Sequence, residues 1–173
     1  KDGHGGKGTL AAAIPGTKSD EIISILINAM GKSVRRRVKE VTCDLSPSMM
    51  LIAGEVFYNA YVVNDRFHVQ QVYNEAVDEI RIDIRRQLIA EENNCDRSQS
   101  PTIYSNGETM RQILARSKHT LMMSREKWTD IQRHRVNILF RHYPILKKAY
   151  LLAMQMRHIF NLKISPAKAM GKF

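Results

Sequence analysis

Three short apolar runs, each followed by a helix-type segment, constrain this chain more than any other feature of its sequence. Residues 9–14 form the first run and Pro15-Gly16 closes it. Residues 38–43 alternate as a buried strand would and end at Asp44, and residues 60–63 lead into Asn64-Asp65. Between the first two runs, residues 17–20 offer N-cap groups for a helix over 21–27 that stops at Gly31, and Arg35-Arg36-Arg37 reads as a basic turn. Between the second and third, Ser46-Pro47-Ser48 starts a helix over 49–57 that Asn59 breaks. Strands separated by helices pair in parallel through crossovers, so the expected fold class is α/β. A sheet of two or three strands is thin and is expected to continue in residues outside this chain. The Gly-rich residues 1–8 fit the turn of a hairpin whose first strand lies upstream.

The pattern then changes. Residues 69–92 read as one amphipathic helix, with Val72, Ala76, Ile80, Ile84 and Leu88 recurring at a spacing of four. A polar loop over 93–106 follows, containing Pro101. Helices are expected over 110–123, 128–140 and 144–160, before a tail rich in Pro, Ala, Lys and Gly from Ser165. Two regions result: residues 1–92, an α/β part, and residues 93–173, an all-helical part. There is no internal repeat.

Charge divides the chain in a similar way. The net charge is +10, and residues 110–173 hold 14 Lys and Arg against two acids, Glu126 and Asp130. A near-neutral first part joined to a strongly basic second part implies a polyanion-binding surface, with nucleic acid the commonest partner. With 43% apolar and 25% charged residues, the composition is that of a globular protein. No apolar run approaches the about 20 residues that cross a bilayer, so no membrane role is expected. Cys43 and Cys95 lack metal-type spacing and read as reduced thiols of a cytosolic protein.

Asp44 and Asp65 each end a predicted strand, where open α/β sheets bind their ligands. Two such carboxylates suit a hard divalent cation such as Mg²⁺, which prefers oxygen ligands. Paired ions of this kind clamp the attacking and leaving oxygens in phosphodiester chemistry. The other reading open at this point is that each Asp caps the helix after it. His68 is a ligand, a partner for Asp65, or an ordinary polar residue at a strand-to-helix junction. His119, His134, His142 and His158 lie among cations and suit solvent or phosphates better than a metal. Trp128, Tyr143 and Tyr150 read as core at helical spacing, with base stacking the alternative. Arg133, Arg135, Arg141, Lys147, Lys148 and Arg157 are the candidate phosphate contacts, which position DNA without reading its sequence.

The segments Asp44-Leu45-Ser46 and Tyr58-Asn59-Ala60-Tyr61-Val62-Val63-Asn64-Asp65-Arg66-Phe67-His68-Val69 together resemble a signature of bacterial insertion-sequence DDE transposases of the ISL3 group. Gly16-Thr17-Lys18, Ser105-Asn106-Gly107, Leu114-Ala115-Arg116-Ser117, Lys127-Trp128-Thr129 and Arg157-His158-Ile159-Phe160 are similar to its Bacteroidetes-type branch, so the resemblance covers nearly the whole chain. It implies a partial RNase H-like core interrupted by an all-helical insertion after its fifth strand, and three carboxylates that hold two Mg²⁺ ions. Asp44 falls where the second, metal-binding carboxylate belongs. Asp65 and His68 match a supporting D-x-x-H element, and Asp65 as the second carboxylate is the alternative left open.

The resemblance further implies DNA as substrate, a homo-oligomeric assembly, and a bacterial cytoplasmic location at the nucleoid. The first carboxylate is expected before Lys1 and the third after Phe173, since no Asp or Glu follows Asp130 and Asp2 sits in the Gly-rich turn. Tyr58 replaces the Pro usual in that signature. The chain is therefore expected to be a fragment, inert by itself, of an enzyme that cuts and joins DNA. The alternative function is a DNA-binding or assembly module of a decayed or domesticated transposase.

Overall fold

The computed structural model describes residues 12–94, 100–162 and 171. It divides the chain into two compact units, residues 1–68 and 69–173.

In the first unit the order is α1 (Ser19–Ala29), α2 (Lys32–Arg37), β1 (Glu40–Cys43), α3 (Pro47–Val56) and β2 (Tyr61–Asn64). Helix α1 carries Asp20 and Glu21 in its first turn, where the partial positive charge of the helix end favours acids. It packs on α3. Pro47 occupies the first turn of α3, where its missing N–H leaves no bond unmade. Ile52, Ala53 and Val56 on one side of α3 are the unit's buried apolar residues among those described. Strands β1 and β2 pair in parallel with Val41 opposite Val62 and Cys43 opposite Asn64, and α3 packs on both.

Three expectations change here. The strand over 9–14 is not seen: residues 12–14 are irregular, and 9–11 lie outside the described residues, as does the Gly-rich start. The basic turn at Arg35–Arg37 is a short helix. The strands are not buried, since β1 alternates exposed and half-buried positions and β2 is exposed at all four. A parallel sheet is stable with both faces covered. Among the described residues, α3 is the element that packs on both strands.

Helix α4 (Arg66–Asn94) starts three residues before the expected 69. In the second unit, α5 (Met110–Arg116), α6 (Lys118–Leu121), α7 (Asp130–His142) and α8 (Pro144–Asn161) follow it. The core stripe of α4 is Tyr73, Val77, Ile80, Ile84 and Leu88, while Val72 is exposed. A strict spacing of four overshoots the 3.6-residue turn by about 40° per step, so the expected stripe drifts off the buried face. The buried face instead mixes steps of three and four.

The expected helix over 110–123 is interrupted at Ser117, whose buried hydroxyl donates to the Ile113 carbonyl at 2.6 Å. Thr109 and Thr129 each accept from the backbone of a Gln three residues on, and that Gln side chain accepts from the Thr N–H. Both are capping boxes, and the second moves the start of α7 from 128 to Asp130. Leu114, Leu121, Leu139, Leu146 and Tyr150 centre the core of this unit. The Trp128 indole donates to the Thr120 carbonyl at 2.8 Å, and its ring centroid lies 5.3 Å from that of Tyr150. Trp128 and Tyr150 are thus core residues, as their helical spacing indicates. Among the described residues no helix is long and apolar enough to cross a membrane.

Candidate functional site

The register of the parallel pair sets the geometry of the candidate site. Cys43 and Asn64 are opposite each other, and the Asp65 N–H donates to the Cys43 carbonyl at 2.7 Å. Asp44 and Asp65 therefore leave adjacent strands at the same level, on the carboxyl edge of the sheet, each at the entry to a helix. Both are half-buried. Their side chains make the same local bond: Oδ1 of Asp44 accepts from the Ser46 N–H at 3.0 Å, and Oδ1 of Asp65 from the Phe67 N–H at 3.0 Å. Each bond turns the chain into the following helix and fixes the carboxylate's orientation, and that of Asp65 also covers a donor in the first turn of α4.

One oxygen of each carboxylate is thereby committed to backbone. The second oxygen of Asp65 lies 3.7 Å from His68 Nε2, one helical turn on, while that of Asp44 takes no partner among the described residues. His68 is half-buried, and its ring meets Phe67 edge-on at 5.7 Å. Asp65 caps α4 and keeps its second oxygen, so both readings coexist there. Asp44 bonds the N–H of Ser46, the residue before α3, and does not cap that helix. The donors fit a hard divalent cation in kind, being carboxylate oxygens on neighbouring strand ends. They fall short in number: no group of three or more His, Cys, Asp or Glu is placed to hold a metal among the described residues.

The basic residues of the second unit fall into two sets. Arg133, Arg141, Lys147 and Lys148 are exposed on α7 and α8. Arg135 is not: its guanidinium grips both carboxylate oxygens of Glu108, at 2.7 and 2.8 Å, with side chains only 13% and 8% exposed. Arg157 is half-buried and donates to the Met122 carbonyl at 2.8 Å. These three bonds hold the fold and leave Arg133, Arg141, Lys147 and Lys148 as the exposed cations of the expected set. Of the histidines, His134 pairs with the Ser105 hydroxyl at 3.0 Å and the His142 ring meets Tyr104 edge-on at 4.9 Å.

Sequence reasoning passes over Glu108. Asn106 and Arg116 complete its shell, and the turn beneath it needs Gly107 at a φ of +76°. The guanidinium of Arg135 pulls the carboxyl down, burial opposes this, and Arg116 adds to the lowering, so Glu108 titrates at about 2. An acid in an otherwise cationic stretch is the one available signal, since its partner Arg135 is 27 residues away.

A family model for transposases of the ISL3 type matches residues 2–173. No curated protein and no solved structure matches the chain.

Proposed function

Because the chain belongs to the family of ISL3-type transposases, we propose that it supplies part of a DDE-type catalytic core for Mg²⁺-dependent DNA cleavage and strand transfer, together with a basic helical region that holds DNA. The single observation that carries this reading is the register match that sets Asp44 beside Asp65 at the carboxyl edge of a parallel pair. Open α/β sheets present ligand-binding groups at that edge.

In this reading residues 1–92 derive from an RNase H-like core and 93–173 from a helical insertion. Asp44 is the metal-binding carboxylate, since one of its oxygens takes no partner among the described residues. Asp65 is the supporting residue, with His68 against its second oxygen. Asp44 would help to hold a divalent cation, which when bound would supply activation of an attacking oxygen and offset charge on the leaving one. The chain's own contribution is to hold the Asp44 carboxylate in place through the Ser46 N–H and to keep Asp65 level with it. Two carboxylates do not make the three-carboxylate site, so these residues by themselves are proposed to be inactive.

Arg133, Arg141, Lys147 and Lys148 contact backbone phosphates, which gives binding without sequence preference and with steep salt dependence. The parent enzyme acts as a homo-oligomer at the bacterial nucleoid. The test is excision of the element by the transposase that carries this chain, with Asp44→Asn and Asp65→Asn compared side by side.

A further inference from the structure

We infer that α2 and the residue pair after it form a second phosphate-backbone contact for duplex DNA, made by Lys32, Arg36, Arg37 and Lys39 on the first unit. The inference rests on the transposase reading above and adds a surface that the basic helices of the second unit do not include.

Four of the six residues of α2 are cationic, Lys39 follows, and the first acid is Glu40. The five cations divide by role. Arg35 is half-buried, donating from Nε to the Met30 carbonyl at 3.1 Å and from its terminal nitrogen to the Val56 carbonyl at 3.3 Å. That ties α2 to the end of α1 and to the carboxyl end of α3. Lys32, Arg36, Arg37 and Lys39 are exposed. Among the described residues their side chains form no hydrogen bond or ion pair, whereas Lys18, Arg81, Arg86, Arg111, Arg116 and Lys118 each have a carboxylate partner.

Helix electrostatics account for only part of this. Cations in the last turn are favoured by the helix dipole, which covers Arg36 and Arg37. It does not cover Lys32, which sits in the first turn where a cation is disfavoured, nor Lys39, which lies beyond the helix. Lys32 and Arg36 are four residues apart, a spacing at which like charges repel. A six-residue helix with no side-chain cap is unstable alone. Here it is pinned by Arg35 and presents self-repelling charge to solvent. A fixed cationic surface without acid partners among the described residues is complementary to a polyanion.

Position identifies the kind of contact. Helix α2 precedes the amino end of β1, and Asp44 leaves its carboxyl end. At about 3.3 Å per residue the strand separates the two by about 10 Å. A phosphate held at α2 is therefore not the one held at the aspartates. Duplex DNA carries one charge per about 1.7 Å of axis, so one duplex spans that offset easily. The surface positions the duplex without reacting with it.

The test measures binding of the intact transposase to a short duplex of arbitrary sequence by fluorescence anisotropy across a salt series. Three variants are compared: one joining Lys32→Gln, Arg36→Gln, Arg37→Gln and Lys39→Gln; one joining Arg133→Gln, Arg141→Gln, Lys147→Gln and Lys148→Gln; and the charge-conserving Arg36→Lys with Arg37→Lys. Thermal melts accompany each. The α2 variant is expected to lower the slope of log affinity against log salt by about 0.9 for each phosphate no longer neutralised, with the lysine variant keeping the wild-type slope. If the fourfold α2 change melts early, Lys32→Gln with Lys39→Gln alone carries the same expectation for two phosphates. An unchanged slope in the α2 variant beside a lowered slope in the α7 and α8 variant overturns the inference and leaves the proposed function standing. Salt-independent binding by the wild type overturns both.

Discussion

The Asp65 N–H donates to the carbonyl of Cys43 at 2.7 Å, and this one bond sets two aspartates level on neighbouring parallel strands. A one-residue slip would turn every side chain of β2 to the opposite face and take Asp65 off the level of Asp44. The site thus depends on register, and register depends on how β1 and β2 pair. Elsewhere the charged residues divide into those that hold the second unit together and those exposed to solvent, which we propose contact DNA.

Glu108→Ala leaves Arg135 in place with its carboxylate partner gone. Removing one member of a buried, hydrogen-bonded pair destabilises by about 3 kcal/mol. A urea titration of the variant against wild type reads that difference directly.

The same residue gives a pH dependence. The Glu108 carboxyl is lowered from its ordinary 4.5 to about 2. A depressed carboxylate contributes stability that is fully present above 4.5 and is lost as pH falls through about 2. Melting temperatures are expected to drop across that window in wild type. The Glu108-dependent part of the drop should vanish in Glu108→Gln, which is already destabilised at neutral pH.

Arg135 and Lys148 are both cations of the helical region, but only Lys148 is exposed. Lys148→Gln is expected to lower the salt slope of DNA binding by about 0.9 with little change in melting. Arg135→Gln is expected to do the reverse: lower the melting temperature and keep the slope.

Leu139 is fully buried and Leu152 is 59% exposed. Leu139→Ala should destabilise by about 2–5 kcal/mol, and Leu152→Ala by no more than about 0.5 kcal/mol. Calorimetry of the two variants tests the orientation of α7 and α8 together.

Local signals in the sequence carry much of the helical part. Pro47 and Pro144 mark helix starts, and Thr109 with Gln112 and Thr129 with Gln132 spell out capping boxes. Helix interiors follow from apolar spacing, yet the face of α4 does not follow from a strict repeat of four, because 3.6 residues make a turn. The strands at 40–43 and 61–64 are legible as short apolar runs that end on polar groups, but their burial is not. Burial depends on what lies over a sheet, and no local pattern encodes that. Asp44, Asp65 and His68 stand out by motif, and their common level depends on pairing 21 residues apart. Glu108 and Arg135 are invisible as a pair for the same reason: they meet only once the loop of Gly107 has folded against α7.

The measurement that bears most directly on the account is element excision by the transposase that carries this chain, comparing wild type, Asp44→Asn and Asp65→Asn, each with a thermal melt. Asn keeps the shape of the side chain and the oxygen that accepts from the backbone but removes the charge a divalent cation requires. The account predicts that Asp44→Asn is folded and abolishes excision, while Asp65→Asn retains part of it. Wild-type excision by a folded Asp44→Asn protein would contradict the assignment of Asp44 as the metal-binding carboxylate.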